Sequence, residues 1–379
     1  MDFEYNEEQR LLAESIGRFI ARDYDFASRK KILASPAGCS DEVWATFAEM
    51  GLTGLPFLAD YGGYGGGALD MISVMEAIGE GLVVEPYLST VGLGAQFVAR
   101  AGTGAQKTAI LPRVAAGKLK MAFAQSERGA RYDLAHVVTR ASALGAGWVI
   151  DGEKCVVLHA PCADLLVVSA RTAGMDGRAS NPSGISLFLV DAKAPGLAMK
   201  RYRTLDALPA ADIVLDGVQV AADALIGSAG EAHALIEEVV DYAGALLCAE
   251  AVGAIKFAND ATLEYLKTRK QFGVPIGTFQ ALQHRMVDMV ISYEQAKSMA
   301  CLACAKVDGE KDPAERRRYV AAARIRIADA CRHVSQESIQ LHGGMGMSEE
   351  IKVSHTFRRL TMLAQQFGDA DYHLERFAG

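Results

Sequence analysis

The sequence predicts a multidomain α and β protein in which a helical segment, a β segment and a second helical segment follow one another along 379 residues. Three observations predict it. Apolar residues recur at helical spacing to about residue 117. From about Lys118 to Gly227 they give way to short runs of branched residues punctuated by Gly and Asp. After Gly230, long alanine- and charge-containing runs return. The length suits two or three domains of ordinary size, and a composition 50% hydrophobic and 22% charged supplies ample core. The expected division is 1–117, 118–227 and 228–379.

In the first segment, Leu11, Leu12, Ile16, Phe19 and Ile20 mark one helix face. Ser40-Asp41-Glu42 ahead of Val43-Trp44 reads as a helix start and Gly51 as its stop, and a further helix is expected from Leu69 to Gly81. Between them, Pro56 and Tyr61-Gly62-Gly63-Tyr64-Gly65-Gly66-Gly67 make a loop, because so many glycines hold neither a helix nor a strand. In the middle segment, Trp148-Val149-Ile150, Val156-Val157-Leu158, Leu165-Leu166-Val167-Val168 and Ile185 to Val190 read as strands of a small antiparallel domain. Met175 to Ser183 is polar and is expected to be an exposed loop. The last segment carries helical runs from Tyr242 to Lys270 and from Arg316 to Leu341.

Composition excludes several classes. A net charge of −7 without a long basic run argues against nucleic acid. Met1 to Arg10 is charged and polar, unlike a signal peptide, and no apolar run reaches the roughly 18–20 residues that cross a bilayer. A cytoplasmic protein without membrane insertion is expected. Seven scattered cysteines, at 39, 155, 162, 248, 301, 304 and 331, read as free buried thiols. Cys301 and Cys304 have CxxC spacing but no second ligand pair nearby, so no metal site is expected.

Two motifs carry chemistry. Arg269-Lys270-Gln271-Phe272-Gly273, followed by Pro275-Ile276-Gly277 and Gln280-Ala281-Leu282-Gln283-His284, sets an anion-binding arginine, a stacking aromatic and an amide at the end of a helical run. A guanidinium forks two hydrogen bonds onto a phosphate, although a lone arginine there also serves as a helix-end cation. Near the other end, Gln340-Leu341-His342-Gly343-Gly344-Met345-Gly346 offers glycines that let backbone N–H groups approach a phosphate, or that simply cap a helix.

With the opening Phe3-Glu4-Tyr5-Asn6-Glu7-Glu8-Gln9-Arg10, the loop at Asp60 to Gly66 and Ala124-Gln125-Ser126-Glu127, these motifs fall in an order and spacing that resembles the acyl-CoA dehydrogenase family over nearly the whole chain. The resemblance implies an N-terminal helical domain, a β-barrel-like middle domain and a C-terminal four-helix bundle. It also implies FAD. Arg269 would bind the pyrophosphate of a flavin held mainly by the neighbouring subunit, with Phe272 near the adenine end, Gln280 hydrogen-bonded to the cofactor and Gln271 in the same motif. Gln340, Gly343 and Gly344 would contact the ADP portion, and Ser126 would keep a hydroxyl on the flavin side. His342 reads as a packing or capping residue.

The departures from the family are as informative. Removing a proton from the α carbon of a thioester needs a carboxylate in a water-poor pocket. Counting from Gln340, the family's Tyr-Glu-Gly-Thr-like turn falls on Gln366-Phe367-Gly368-Asp369, so Phe367 stands at the glutamate position. The alternative position in a minority of members falls on Ala243. Asp241, two residues away, points about 200° round the helix. Asp369 and Asp241 remain weak candidates for a relocated base; Asp371 is a neighbouring carboxylate, and capping or surface roles suit all three. The Trp-x-Thr pair expected beside the flavin ring is replaced after Gly152-Glu153-Lys154-Cys155 by Val156-Val157-Leu158, and Tyr132 stands where a small serine is usual.

Within the family the chain looks most like the small subunits of heteromeric members, including pimeloyl-CoA dehydrogenases and enzymes of sterol or bile-acid side-chain thioesters, hence lipid or steroid catabolism. The implied partners are a second acyl-CoA dehydrogenase-like subunit in an α2β2 assembly, an acyl-CoA substrate and electron-transfer flavoprotein. A self-sufficient homotetramer with a relocated carboxylate and a non-redox acyl-CoA-binding structural subunit are the alternatives. Apolar helices such as Ala245 to Ile255 are expected to pack against sister subunits.

Overall fold

The computed structural model describes residues 7–174 and 180–379. Residues 3–6 of the opening motif and 175–179 of the expected loop lie outside the described residues. The elements run α1 (Glu7–Asp23), α2 (Phe26–Ala34), α3 (Asp41–Glu49), α4 (Ala68–Gly81), a π-helical turn (Leu88–Gly94) leading into α5 (Ala95–Ala101), and α6 (Gly104–Ala115). The strands follow: β1 (Met121–Ala124), β2 (Arg140–Leu144), β3 (Gly147–Leu158), β4 (Leu165–Arg171), β5 (Ile185–Asp191), β6 (Leu197–Arg203), β7 (Pro209–Ala221) and β8 (Leu225–Ile226). After α7 (His233–Thr268), a short hairpin of β9 (Lys270–Gln271) and β10 (Val274–Pro275) precedes α8 (Gln280–Gly309), α9 (Pro313–His342), α10 (Lys352–Leu363) and α11 (Ala370–Ala378). Among the described residues no helix is long and apolar enough to cross a membrane, and no cluster of His, Cys, Asp or Glu could hold a metal ion.

These elements pack into two compact units whose boundary falls within α7. The first comprises 1–31, 67–83 and 244–379. In it α1 and α8 both pack against α4, and α9 packs against α8, α10 and α11. Asp70 and Asp308 start α4 together: Asp70 accepts from the Gly67 N–H at 2.8 Å, and Asp308 from the N–H groups of Ala68 and Leu69 at 2.8 and 2.9 Å. Their charge also suits the positive end of the helix. Two glycines let α4 and α7 touch backbone to backbone. A Cβ on Gly79 would overlap the Glu250 carbonyl, and one on Gly253 the Glu76 carbonyl.

Packing corrects one expectation. Within Ala245 to Ile255, the apolar side chains of α7 are fully buried by their own chain, including Leu246, Leu247, Val252 and Ile255. A helix apolar on every side is a core helix rather than a face for a sister subunit. Its one carboxylate there, Glu250, is closed off by Arg359 at 2.6 Å. Exposed apolar residues cluster on α8 instead, at Val287, Val290 and Ile291, among others elsewhere on the chain.

The second unit comprises 32–66 and 84–243. Ser40 caps α3, its Oγ accepting from the Val43 N–H at 3.2 Å, and Gly51 ends that turn at φ +77°. The strands form one eight-stranded sheet in the order β6-β7-β3-β2-β4-β5-β8, with β1 added beside β4. Most pairings are antiparallel, as the short punctuated runs suggest. The exceptions are β1, which joins β4 in parallel from Met121↔Leu165 to Ala124↔Val168, and a single parallel pair between β2 and β4. Parallel pairing needs a long crossover, and the stretch from 125 to 164, which carries β2 and β3, supplies it. Ile150, Val157, Leu166, Val168, Phe188, Ile213 and Leu215 fill the core against this sheet. β3 bulges twice against β7, between Ile150 and Gly152 and between Lys154 and Val157, which re-aims its C-terminal half.

Candidate active site

In the first unit the structure brings the two motifs together. Tyr265, one helical turn before Arg269, stacks on His342, the last residue of α9, with ring centroids 4.5 Å apart and planes 27° apart. His342 is locked further by Nδ1 against the Ser338 carbonyl at 2.7 Å, and burial pushes its imidazole below its usual pKa. It is a packing residue. A cavity of about 420 Å³ lies beside this stack, lined by Tyr265, Thr268, His342 and Met345 among others.

Arg269 follows the end of α7, its backbone N–H still bonded to the Tyr265 carbonyl at 2.8 Å. Its guanidinium is exposed and has no hydrogen bond or ion pair among the described residues. The hairpin then turns through Phe272 and Gly273 at φ +55° and +82°. Glycine adopts that conformation freely; phenylalanine does not. The strained Phe272 ring is 91% exposed and meets only the edge of Phe279, at 6.1 Å. Gln271 and Gln280 are exposed on the same hairpin and at the first residue of α8, and the Gln271 amide folds back onto the Lys270 carbonyl at 2.7 Å. At the end of α9, Gln340, Gly343 and Gly344 are exposed, and a Cβ on either glycine would meet nothing within 4 Å. A cation, an aromatic face, amides and an open glycine turn are therefore displayed to solvent.

The turn Gln366 to Asp369 is built differently. Phe367 sits at φ +61° and Gly368 at φ +128°. Arg324 of α9, 1% exposed, reaches beneath them: its Nη2 donates to the carbonyls of Leu363 at 2.9 Å, Gln366 at 2.6 Å and Gly368 at 3.4 Å. Its Nε donates to His373 Nε2 at 3.5 Å, and burial together with that cation pushes the His373 imidazole down to about 2. Gly368 has no room for a Cβ against the Tyr372 ring. Asp369 is the N-cap of α11, its Oδ1 accepting from the Tyr372 N–H at 2.9 Å. In the other unit, Asp241 and Ala243 are both buried in α7.

In the β unit, Ser126 is exposed at the end of β1 and its carbonyl accepts from the Cys155 N–H at 2.8 Å. Beneath it, Lys154 and Glu127 form an ion pair at 2.7 Å with side chains 0% and 5% exposed. Lys154 also donates to Ser169 Oγ at 2.8 Å and the Gln125 carbonyl at 3.3 Å. Burial pushes the Lys154 amine down to about 8, against the pull of Glu127. Burial alone would raise Glu127, yet Lys154 and the N–H groups of Thr139 and Val138 hold it below the usual carboxylate range. Val156, at φ +52° and 50% exposed, gives its N–H to Asp212 and to the Tyr202 hydroxyl, each at 3.1 Å. Apolar side chains at Val156 and Leu158 offer neither a hydroxyl nor an indole.

Comparison with known proteins decides the family. Residues 6–118 match acyl-CoA dehydrogenase, N-terminal domain; 122–218 match acyl-CoA dehydrogenase, middle domain; and 233–378 match acyl-CoA dehydrogenase, C-terminal domain. The chain belongs to the acyl-CoA dehydrogenase family. It is 29% identical to the probable acyl-CoA dehydrogenase YngJ of Bacillus subtilis (strain 168), over 99% of this chain and 98% of that one. It is 30% identical to the acyl-CoA dehydrogenase FadE12 of Mycobacterium tuberculosis (strain H37Rv), over 86% and 84%. Among solved structures it superimposes on PigA in its FAD complex with a TM-score of 0.91 at 27% identity, covering 100% of this chain and 98% of that one. It likewise superimposes on a variant of the Tcur3481–Tcur3483 steroid ACAD with a TM-score of 0.86 at 29% identity, covering 98% and 97%. The three-part acyl-CoA dehydrogenase fold, helical, β and helical, is thereby established, as is the oxidoreductase class acting on CH–CH bonds.

For this acyl-CoA dehydrogenase, sequence reasoning missed Arg324 and the Lys154–Glu127 pair. A signal for the first exists. Val320, Arg324, Ile327, Cys331, Val334, Ser338 and Leu341 lie on the buried side of α9, and an arginine in the middle of such a stripe must be satisfied by something. For the second, Glu127 lies in the loop after β1 and Lys154 in β3, and no spacing rule links them.

Proposed function

We propose that this chain is the non-catalytic subunit of a heteromeric, FAD-dependent acyl-CoA dehydrogenase, pairing with a second family member that carries the glutamate base. One observation carries the reading: the turn where the base belongs is filled by Phe367 and pinned through its carbonyls by Arg324, while its nearest carboxylate, Asp369, is committed to capping α11. A phenyl ring takes no proton. The similarity to the two-component Tcur3481–Tcur3483 steroid ACAD supports the same assembly.

The residues present fit the nucleotide end of FAD. The cofactor, when bound, supplies the hydride acceptor for α,β-dehydrogenation of an acyl-CoA thioester. Arg269 would hold its pyrophosphate through a charge-assisted contact, its guanidinium being exposed and without a partner among the described residues. Phe272 and the amides of Gln271, Gln280 and Gln340 would address the adenosine end, and Gly343 and Gly344, with no Cβ, would let phosphate oxygens approach the turn, although the Gly343 N–H is itself held by the Gln340 carbonyl. The ring end fits less well. Ser126 keeps a hydroxyl, but the Val156 N–H is already used by Asp212 and Tyr202. This chain thus lends the ADP half of a shared site, the partner supplies ring pocket and base, and electron-transfer flavoprotein takes the electrons.

Co-expression with a family member bearing an intact glutamate tests this. The pair is expected to co-purify and oxidise an acyl-CoA, with neither chain doing so alone. A homo-oligomer of this chain that turns over at the rate of the pair contradicts it.

A further inference from the structure

Two of the seven thiols lie on segments of the second unit that come together. Cys39 directly precedes the Ser40 cap of α3, and Cys162 ends the short turn Ala160–Cys162 between β3 and β4. Cys162 Sγ donates to the Ala37 carbonyl at 3.2 Å, which places it two residues along the backbone from Cys39. The intervening Gly38 turns at φ +71°, where a side chain would overlap the Arg203 guanidinium. That guanidinium in turn holds the approach to Cys39, donating to the carbonyls of Leu33 at 2.7 Å and Ser35 at 2.9 Å. The segment just ahead of Cys39 is therefore stitched to β6 and to the turn that carries Cys162.

The two sulfurs are not equivalent. The Cys162 S–H, when turned from the Ala37 carbonyl to Cys39, draws that thiol below its ordinary pKa; burial and the Glu85 and Asp41 carboxylates oppose this, and the Lys120 ammonium helps. Lys120 is fixed there by its ion pair with Asp41. The α3 N-terminus adds a further positive end. Cys162 itself is raised, first by Cys39 and then by burial. Cys39 keeps 9% of its surface and Cys162 is half-buried; among the other thiols, Cys248, Cys304 and Cys331 are fully buried and Cys301 keeps 6%. Cys155 is half-buried, and burial followed by the Asp212 carboxylate raises its thiol.

We propose that Cys39 and Cys162 form a peroxide-sensitive dithiol that closes into a disulfide between the segment preceding α3 and the turn between β3 and β4. The Cys39 thiolate attacks one oxygen of hydrogen peroxide, the O–O bond breaks, and the hydroxide released takes a proton to become water. The resulting sulfenic acid is attacked by the Cys162 sulfur; the S–O bond breaks, and water leaves with the Cys162 proton. Two thiols are oxidised and one peroxide is reduced to two waters. Cys39 is the nucleophile and Cys162 the resolving thiol.

Peptide mapping of the full-length chain after graded hydrogen peroxide, with free thiols alkylated and no reductant, is the test. A linked Cys39–Cys162 peptide is expected at about tenfold lower peroxide than any oxidation of Cys155, and dithiothreitol should reverse it. In Cys162→Ser, Cys39 should instead accumulate as a sulfenic acid trapped by dimedone. Cys155 oxidising first, or Cys39 passing to sulfinic acid in the unsubstituted chain with no linked peptide, overturns the proposal.

Discussion

The guanidinium of Arg324 donates to the Gln366 carbonyl at 2.6 Å and so holds, from inside the helical core, the turn that carries Phe367. The same nitrogen reaches the carbonyls of Leu363 and Gly368. Replacing Arg324 with Met would strand these buried acceptors, and the expected loss is about 3 kcal/mol. Arg324→Lys keeps the charge but not the fork and should lose roughly half of that. Urea unfolding midpoints at unchanged m-value are the measurement. Two variants that unfold like the parent would mean the turn stands without its arginine.

His373 gives a pH signature to the same cluster. In the fold its imidazole stays neutral, because burial and then Arg324 push it down to about 2; in the unfolded chain it titrates near 6.5. A group whose folded pKa is depressed contributes fully above its unfolded pKa. Its contribution shrinks as pH falls, here below about 6.5, at up to about 1.4 kcal/mol per pH unit. Between pH 7 and 5 the unsubstituted chain should therefore lose more stability than His373→Gln. Parallel pH profiles for the two would rule out the buried neutral histidine.

Asp369 separates a cap from a base. As N-cap of α11 it accepts from the Tyr372 N–H. Asp369→Ala should cost about 1 kcal/mol of stability and Asp369→Asn much less, with turnover of the assembled enzyme unchanged in both. A collapse of turnover in Asp369→Asn, with stability intact, would identify it as a proton acceptor instead.

Arg269 should behave in the opposite way. Exposed and unpaired among the described residues, it can be replaced by Ala with stability held within about 0.5 kcal/mol. FAD affinity of the assembled enzyme should fall about 10- to 100-fold, the worth of a charge-assisted hydrogen bond. Isothermal titration of the apo-complex with FAD reads this directly. Unchanged affinity would return Arg269 to the role of a helix-end cation.

What the sequence makes legible is what local physics dictates. The Ser40 cap, the Gly51 stop and α4 from Ala68 to Gly81 follow from caps and spacing, and the short branched runs are strand, although Trp148 to Ile150 and Val156 to Leu158 join across Asp151-Gly152 into the single strand β3. Long-range choices are less visible. Nothing near β1 announces that it will lie parallel to β4, since pairing direction depends on the connection and not the strand. The apolar run around Leu246 and Val252 looks the same whether it faces a sister chain or its own core; the glycine contacts between α4 and α7 settle it inward. The motif residues illustrate the remaining limit. Their spacing marks Arg269 and Gly343, but only folding shows that Tyr265 and His342 stack to bring the two ends together.

The central claim is that this chain holds one end of a flavin site and lacks the other. The most direct measurement is the FAD content of the chain purified alone, followed by its absorbance on adding an acyl-CoA without oxygen. Well under one FAD per chain and no bleaching are expected, with both restored beside a glutamate-bearing partner. One tightly held FAD per lone chain, bleached by the thioester, would contradict the central claim.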